Sequence, residues 1–141
     1  MLGEQIEDLK GKITGQRVVQ VQPLTIETSV SASGSIRGTQ VTQMLTFVGS
    51  PAGSEAEEQV GVIHGKGGGI IMMVGQSEFA TFTGEGIGRI SSSGGTKWRG
   101  SIFYSTSSKK GKLSFLNNMI GAFEGEFDAQ GNFTHKTWEW K

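Results

Sequence analysis

Cysteine is absent from this chain of 141 residues. Disulfides, thiolate nucleophiles and sulfur-ligated zinc are thereby excluded, and a reducing compartment suits the chain. Charge of one sign is also lacking, since 13 Lys and Arg balance 13 Asp and Glu. Neither nucleic acid nor an anionic membrane surface is expected as a partner. Long apolar runs are missing too: the longest, "IIMMV" from Ile70 to Val74, is far too short for a membrane-spanning helix. The opening "MLGEQIEDLK" has neither a basic leader nor an apolar stretch, so no signal peptide is expected and a soluble cytoplasmic protein is the expectation. Only two prolines occur and no collagen-like period is present, which argues against low-complexity architectures.

What the chain has instead is glycine: 23 residues, more than twice the typical share of about 7%. The glycines fall between runs of Val, Ile, Phe and Thr, the pattern of strands with bends and turns. Helical periodicity is nearly absent. In "LTIETSVSA", Leu24, Ile26, Thr28, Val30 and Ala32 alternate with polar residues, as in a strand with one buried face. Extended segments are predicted at 24–32 and near 10–21, 35–48, 58–66, 69–75, 78–90, 96–107, 119–128 and 132–140. "GQSE" (Gly75 to Glu78), "SSSGG" (Ser91 to Gly95) and "DAQGN" (Asp128 to Asn132) carry hairpin chemistry, the last with Gly131 in the left-handed position. "GSPAGSEAEE" (Gly49 to Glu58) reads as a mobile loop. "KKGKLSFLNN" (Lys109 to Asn118) has room for one helical turn. Consecutive hairpins without a long crossover predict a single all-β domain over residues 1–141. Its expected form is a small antiparallel up-and-down β-barrel of eight or nine strands, because closure removes the exposed edges of an open sheet. A two-sheet sandwich is the alternative.

The stretch "ATFTGEGIGRI" (Ala80 to Ile90) looks most like a phosphate loop, but "RISSSGGTKW" follows it rather than a helix. The spacing is Gly-x-Gly-x-Gly, and no phosphate-binding lysine is in place. Read as a strand, it puts Phe82, Gly84, Gly86 and Gly88 on one face. Three glycines in succession clear a space there, to be covered by an aromatic or by a ligand. Trp98 and Tyr104 on the next strand are the covering candidates. Pairing the last hairpin about Gln130 sets Gly125 opposite His135, Phe123 opposite Thr137 and Gly121 opposite Glu139. One face then carries Phe123, Phe127, Phe133, His135 and Glu139, and has the better claim to the interior. A His135–Glu139 acid–base pair is one reading, although the two residues are four apart and need twist to meet. Ile120, Trp138 and Trp140 on the other face suggest a homo-oligomer contact. His64 and His135 show no ligand spacing, so no metal and no cofactor are expected, and no Gly-x-Ser-x-Gly elbow supports a serine hydrolase.

The segments "GEQIEDLKGKITGQRVV", "ATFTGEGIGRI", "RGSIFYSTSS" and "FEGEFDAQGNFTHKTWEWK" together resemble an uncharacterised family of small bacterial and archaeal proteins over almost the whole chain. The architecture is also similar to the allene oxide cyclase and dirigent barrels. That resemblance implies a cavity and oligomerisation, but no catalytic motif of those families maps onto these residues. The function expected is therefore binding of a small apolar or amphipathic ligand inside the barrel, by Phe82, Gly84, Gly86, Gly88, Trp98, Tyr104 and His135. The alternatives are a cyclase- or isomerase-type enzyme steering protons with Glu85, Arg99, His135 and Glu139, and a structural oligomer with a filled barrel. The balance leans away from an enzyme.

Overall fold

Eight antiparallel strands close into a barrel in this computed structural model, which describes residues 2–51, 61–75 and 78–141. The strands are β1 (Leu2–Val21), β2 (Leu24–Ile36), β3 (Thr39–Pro51), β4 (Val62–Met73), β5 (Phe79–Ile90), β6 (Thr96–Ser105), β7 (Ile120–Phe127) and β8 (Asn132–Trp140). Each pairs with the next in sequence, and β1 pairs with β8 to complete the closure. The barrel is thus an up-and-down one, not a sandwich. Its interior follows the period-two pattern: Leu9 on β1, Val30, Ala32 and Ile36 on β2, Val41 on β3, Ile71 on β4, Ala80 on β5, Ile102 on β6 and Phe133 on β8 are all buried.

Three expected boundaries are corrected. The segment 35–48 divides at Arg37 and Gly38, whose φ values of 45° and 77° form a tight turn between β2 and β3. The segments 58–66 and 69–75 are one strand over their described residues, because the glycines between them do not turn the chain. A Cβ at Gly67 or Gly69 would run into the carbonyl oxygen of Thr46 or Met44 on β3, so glycine here permits close backbone approach. β1 begins at Leu2 rather than near residue 10, its charged Asp8, Lys10 and Lys12 pairing along β8. Of the polar stretch 49–58, residues 49–51 belong to β3 and 52–58 lie outside the described residues, as do Gln76 and Ser77 of the β4–β5 connection.

The two ends of the barrel differ. At one, residues 106–119 fold across the opening around a single 3-10 turn, Ser114–Leu116, and bury Leu113 and Leu116 completely. The Glu78 carboxylate anchors this plug, accepting hydrogen bonds from Ser108 Oγ (2.8 Å) and from the backbone N–H groups of Lys112 (3.1 Å) and Leu113 (2.8 Å). The other end is bounded by the β5–β6 and β7–β8 turns and by the hairpin of β1 and β2. That hairpin outruns the barrel, since β8 pairs with β1 only as far as Lys12 while β2 pairs with it to Val21. The β7–β8 turn is held by Asp128, whose Oδ1 accepts from the N–H groups of Gln130 and Asn132, both at 2.9 Å. The Asn132 side chain adds a third bond and is the largest cause of an Asp128 pKa below the ordinary carboxylate range.

Candidate functional site

The middle of the interior wall formed by β4 and β5 carries almost no side chains. Gly65 pairs with Gly86 and Gly67 with Gly84, while Ile63 pairs with Gly88. Most of the space so cleared is filled by rings from the next two strands, β6 and β7. A Cβ on Gly88 would lie 2.5 Å from Trp98 Cε2, and one on Gly65 would lie 2.7 Å from Trp98 Cζ3. Over Gly86 the ring of Phe123 comes to 3.0 Å. Gly84 alone among the three β5 glycines has no aromatic ring among its nearest neighbours, only Ser101 and Ile102 of the paired strand. A cavity of about 80 Å³ remains here, lined among others by Gln43, Phe82, Gly84, Phe123 and His135.

Beside this cavity lies a buried polar cluster. Glu7 is fully enclosed, and its carboxylate faces three polar groups. Oε1 accepts from the Thr137 hydroxyl at 3.2 Å and lies 2.9 Å from His135 Nε2, and Oε2 accepts from the Tyr104 hydroxyl at 3.4 Å. Thr137 Oγ1 also stands 2.9 Å from His135 Nε2. Burial, and next the Glu7 carboxylate, push the Tyr104 phenol well above its ordinary pKa, so it stays a neutral donor. The imidazole is sandwiched by Phe123 (centroids 5.2 Å) and Phe133 (5.6 Å), which fixes its plane.

Glu7 reaches the interior through an irregularity in β1. Gln5 pairs with Trp138 but Glu7 with Thr137, so β1 spends an extra residue, and Ile6 and Glu7 are both buried. A bulge of this kind re-aims a side chain. His135 therefore finds its carboxylate on β1, not at Glu139, which extends toward Arg37 (3.4 Å). Nothing in the sequence pattern signalled Glu7 as internal; strict alternation cannot bury two consecutive residues.

A second and larger space lies at the other end, as the described residues bound it. Its volume is about 640 Å³, and Phe47, Trp98 and Phe127 line both it and the inner cavity, so these rings partition the two. Phe47 meets Trp98 edge-on at 5.4 Å, and the indole N–H is held by Thr96 Oγ1 at 3.0 Å. Ile13, Ile26, Ile63 and Ile90 form apolar walls, with Gln16, Thr28 and Ser50 supplying polar groups.

Of the residues singled out from the sequence, Phe82, Gly84, Gly86, Trp98 and His135 border the inner cavity. Gly88 does not; it is covered by the indole of Trp98. Tyr104 is engaged with Glu7 instead. Glu85 and Arg99 point outward, in pairs with Lys66 (3.5 Å) and Glu124 (3.9 Å), so the four proton-steering candidates do not converge. His64 is exposed. Among the described residues no group of three or more His, Asp or Glu could hold a metal, and no helix is long and apolar enough to cross a membrane. Comparison with protein-family models, with curated proteins and with solved structures gives no match.

Proposed function

We propose that this protein is a binding barrel whose ligand is a small apolar or amphipathic molecule seated in the open mouth. The observation that carries this reading is the 640 Å³ space floored by Phe47, Trp98 and Phe127. Drug-sized ligands occupy pockets of about 300–1,000 Å³ with apolar walls and a few placed polar groups. The inner cavity, at about 80 Å³, is too small for such a ligand, which moves the seat outward from the position that the glycine pattern suggested. Of the residues expected from the sequence to hold the ligand, Trp98 is the one that lines the mouth.

Two side chains at the mouth are exposed and suit a test, Leu24 and Ile90. Replacing either with glutamate should leave stability within about 0.5 kcal/mol. The affinity for a fluorescent apolar probe such as anilinonaphthalene sulfonate, or for decanoate, should fall about tenfold, the equivalent of roughly 1.4 kcal/mol. Unchanged affinity in both variants would remove the mouth as the seat.

The enzyme reading ranks below this one because His135, the one member of the His135–Glu7 pair that borders a cavity, faces the small inner one, not the mouth. For self-association, the proposed contact is an outer apolar row. Phe103 pairs with Ile120 and Leu2 with Trp140, and all four are exposed, with Trp138 half-buried beside them. Trp140→Ser with Ile120→Ser should abolish any dimer or trimer seen by sedimentation; an unchanged mass distribution of the oligomer would refute the contact.

A further inference from the structure

The two spaces in the barrel lie one behind the other along its strands. On β3, Leu45 borders the inner cavity alone, Phe47 borders both spaces and Gly49 borders the mouth alone. Gly125, Phe127 and Ala129 repeat that order on β7 and its turn, so a single layer of rings divides the two spaces. Leu45, Phe47 and Phe123 pack against the core yet stay half-buried, so the surface they turn to these spaces is not closed over. The dividing rings are not held alike. Trp98 is pinned through its indole N–H to Thr96 Oγ1 at 3.0 Å, and Phe127 is stacked on Phe133 with centroids 4.7 Å apart. Phe47 meets Trp98 edge-on at 5.4 Å and Phe127 at a tilt at 6.0 Å, the looser contacts of the layer. It is the ring that can turn aside.

We infer that the ligand is an unbranched alkyl amphiphile, whose chain passes between these rings and seats its last carbons in the inner cavity while its polar head stays in the mouth. This rests on the mouth as the ligand's seat, and it adds the ligand's class. Volume sets the depth. Since an apolar cavity of about 150 Å³ holds benzene, at about 25 Å³ per heavy atom, the 80 Å³ here takes about three carbons.

Polarity sets the direction. The inner walls are Leu45, Phe82, Ile102 and Phe123 with the backbone of Gly84. The Gln43 amide atoms are buried behind that surface, and His135 Nε2 stands 2.9 Å from both Glu7 and Thr137. A polar head therefore loses its hydration there for almost nothing in return, whereas Gln16, Thr28 and Ser50 supply polar groups at the mouth. Shape excludes branching. With Trp98 seated over Gly88 and Phe123 over Gly86, one displaced ring opens a passage for a single chain, not for a branched or fused-ring body.

The test compares calorimetric affinities of the full chain for decanoate and for 4-cyclohexylbutanoate, which has the same carbon count and charge but ends in a ring too wide for the passage. Each methylene moved from water into an apolar seat is worth about fourfold in affinity, so decanoate should bind at least about tenfold more tightly. In Overhauser spectra its terminal methyl should touch the rings of Phe82 and Phe123. Leu45→Phe adds roughly the three carbons that the cavity holds. It should lower decanoate affinity about tenfold and leave that of 4-cyclohexylbutanoate unchanged. Equal affinities for the two acids, or methyl contacts confined to Phe47, Trp98 and Phe127, would overturn this inference with the mouth reading intact. Binding of neither acid would overturn both. If Leu45→Phe does not fold, the two acids and the methyl contacts on the native chain decide.

Discussion

Removing the Glu7 side chain should be among the most damaging single changes in this barrel. The carboxylate is fully enclosed, accepts from the Thr137 and Tyr104 hydroxyls and lies 2.9 Å from His135 Nε2. In Glu7→Ala, His135 and Thr137 retain each other at 2.9 Å, so about two donors are left without an acceptor. At about 1–3 kcal/mol for each, the loss is about 2–6 kcal/mol. The expected destabilisation is therefore about 4 kcal/mol, survivable for a domain with a total stability of about 5–15 kcal/mol. With a urea m-value near 2 kcal/mol/M, the unfolding midpoint should fall by about 2 M. Tyr104→Phe supplies the internal check. It should destabilise the native protein by about 1 kcal/mol, yet be neutral or stabilising in the Glu7→Ala background, where the phenol has lost its partner. A midpoint change below about 0.5 M for Glu7→Ala, or additive effects in the double variant, would refute the buried network.

Three further outcomes follow from the same geometry. Tyr104 is the sole tyrosine, so tyrosinate absorbance reports it alone. The folded protein should show no ionisation through pH 10, whereas the urea-unfolded chain titrates near the ordinary value of about 10. Because the folded pKa is raised, the native state retains a proton that the unfolded state has lost. Stability from this group is complete below about pH 10 and declines above it by up to about 1.4 kcal/mol per pH unit, a slope that Tyr104→Phe should remove. Gly86→Leu should cost about 1–3 kcal/mol in chemical denaturation, since its Cβ already meets Arg99 O at 2.9 Å and Phe123 at 3.0 Å; a neutral effect would mean that the wall is open there. Glu78→Ala should release the plug, with hydrogen exchange at Leu113 accelerating at least tenfold while β2 and β3 amides stay protected.

The all-β barrel was legible because period-two alternation and turn residues are local signals. "DAQGN" gave its turn, and the β7–β8 register from Gly121–Glu139 to Gly125–His135 follows from that turn alone. The inward face of β8 was legible by the same route. Glu7 was not, because its burial depends on a bulge and on the closing contact between the first and last strands, neither of which is local. Gly67 to Gly69 misled for a related reason. Glycine at a turn and glycine beneath a neighbouring backbone look alike until the neighbour is known. "TFTGEGIG" lies between these cases: the cleared face and its cover at Gly88 by Trp98 of the next strand were readable, but the ring over Gly86, Phe123, comes from two strands away and was not.

The central claim, that the ligand sits in the open mouth on the floor of Phe47, Trp98 and Phe127, is tested most directly by Overhauser contacts from bound decanoate to aromatic protons. The account predicts contacts to those three rings and none to Tyr104. Contacts confined to Trp138 and Trp140 on the outer face, or no binding at millimolar decanoate, would contradict it.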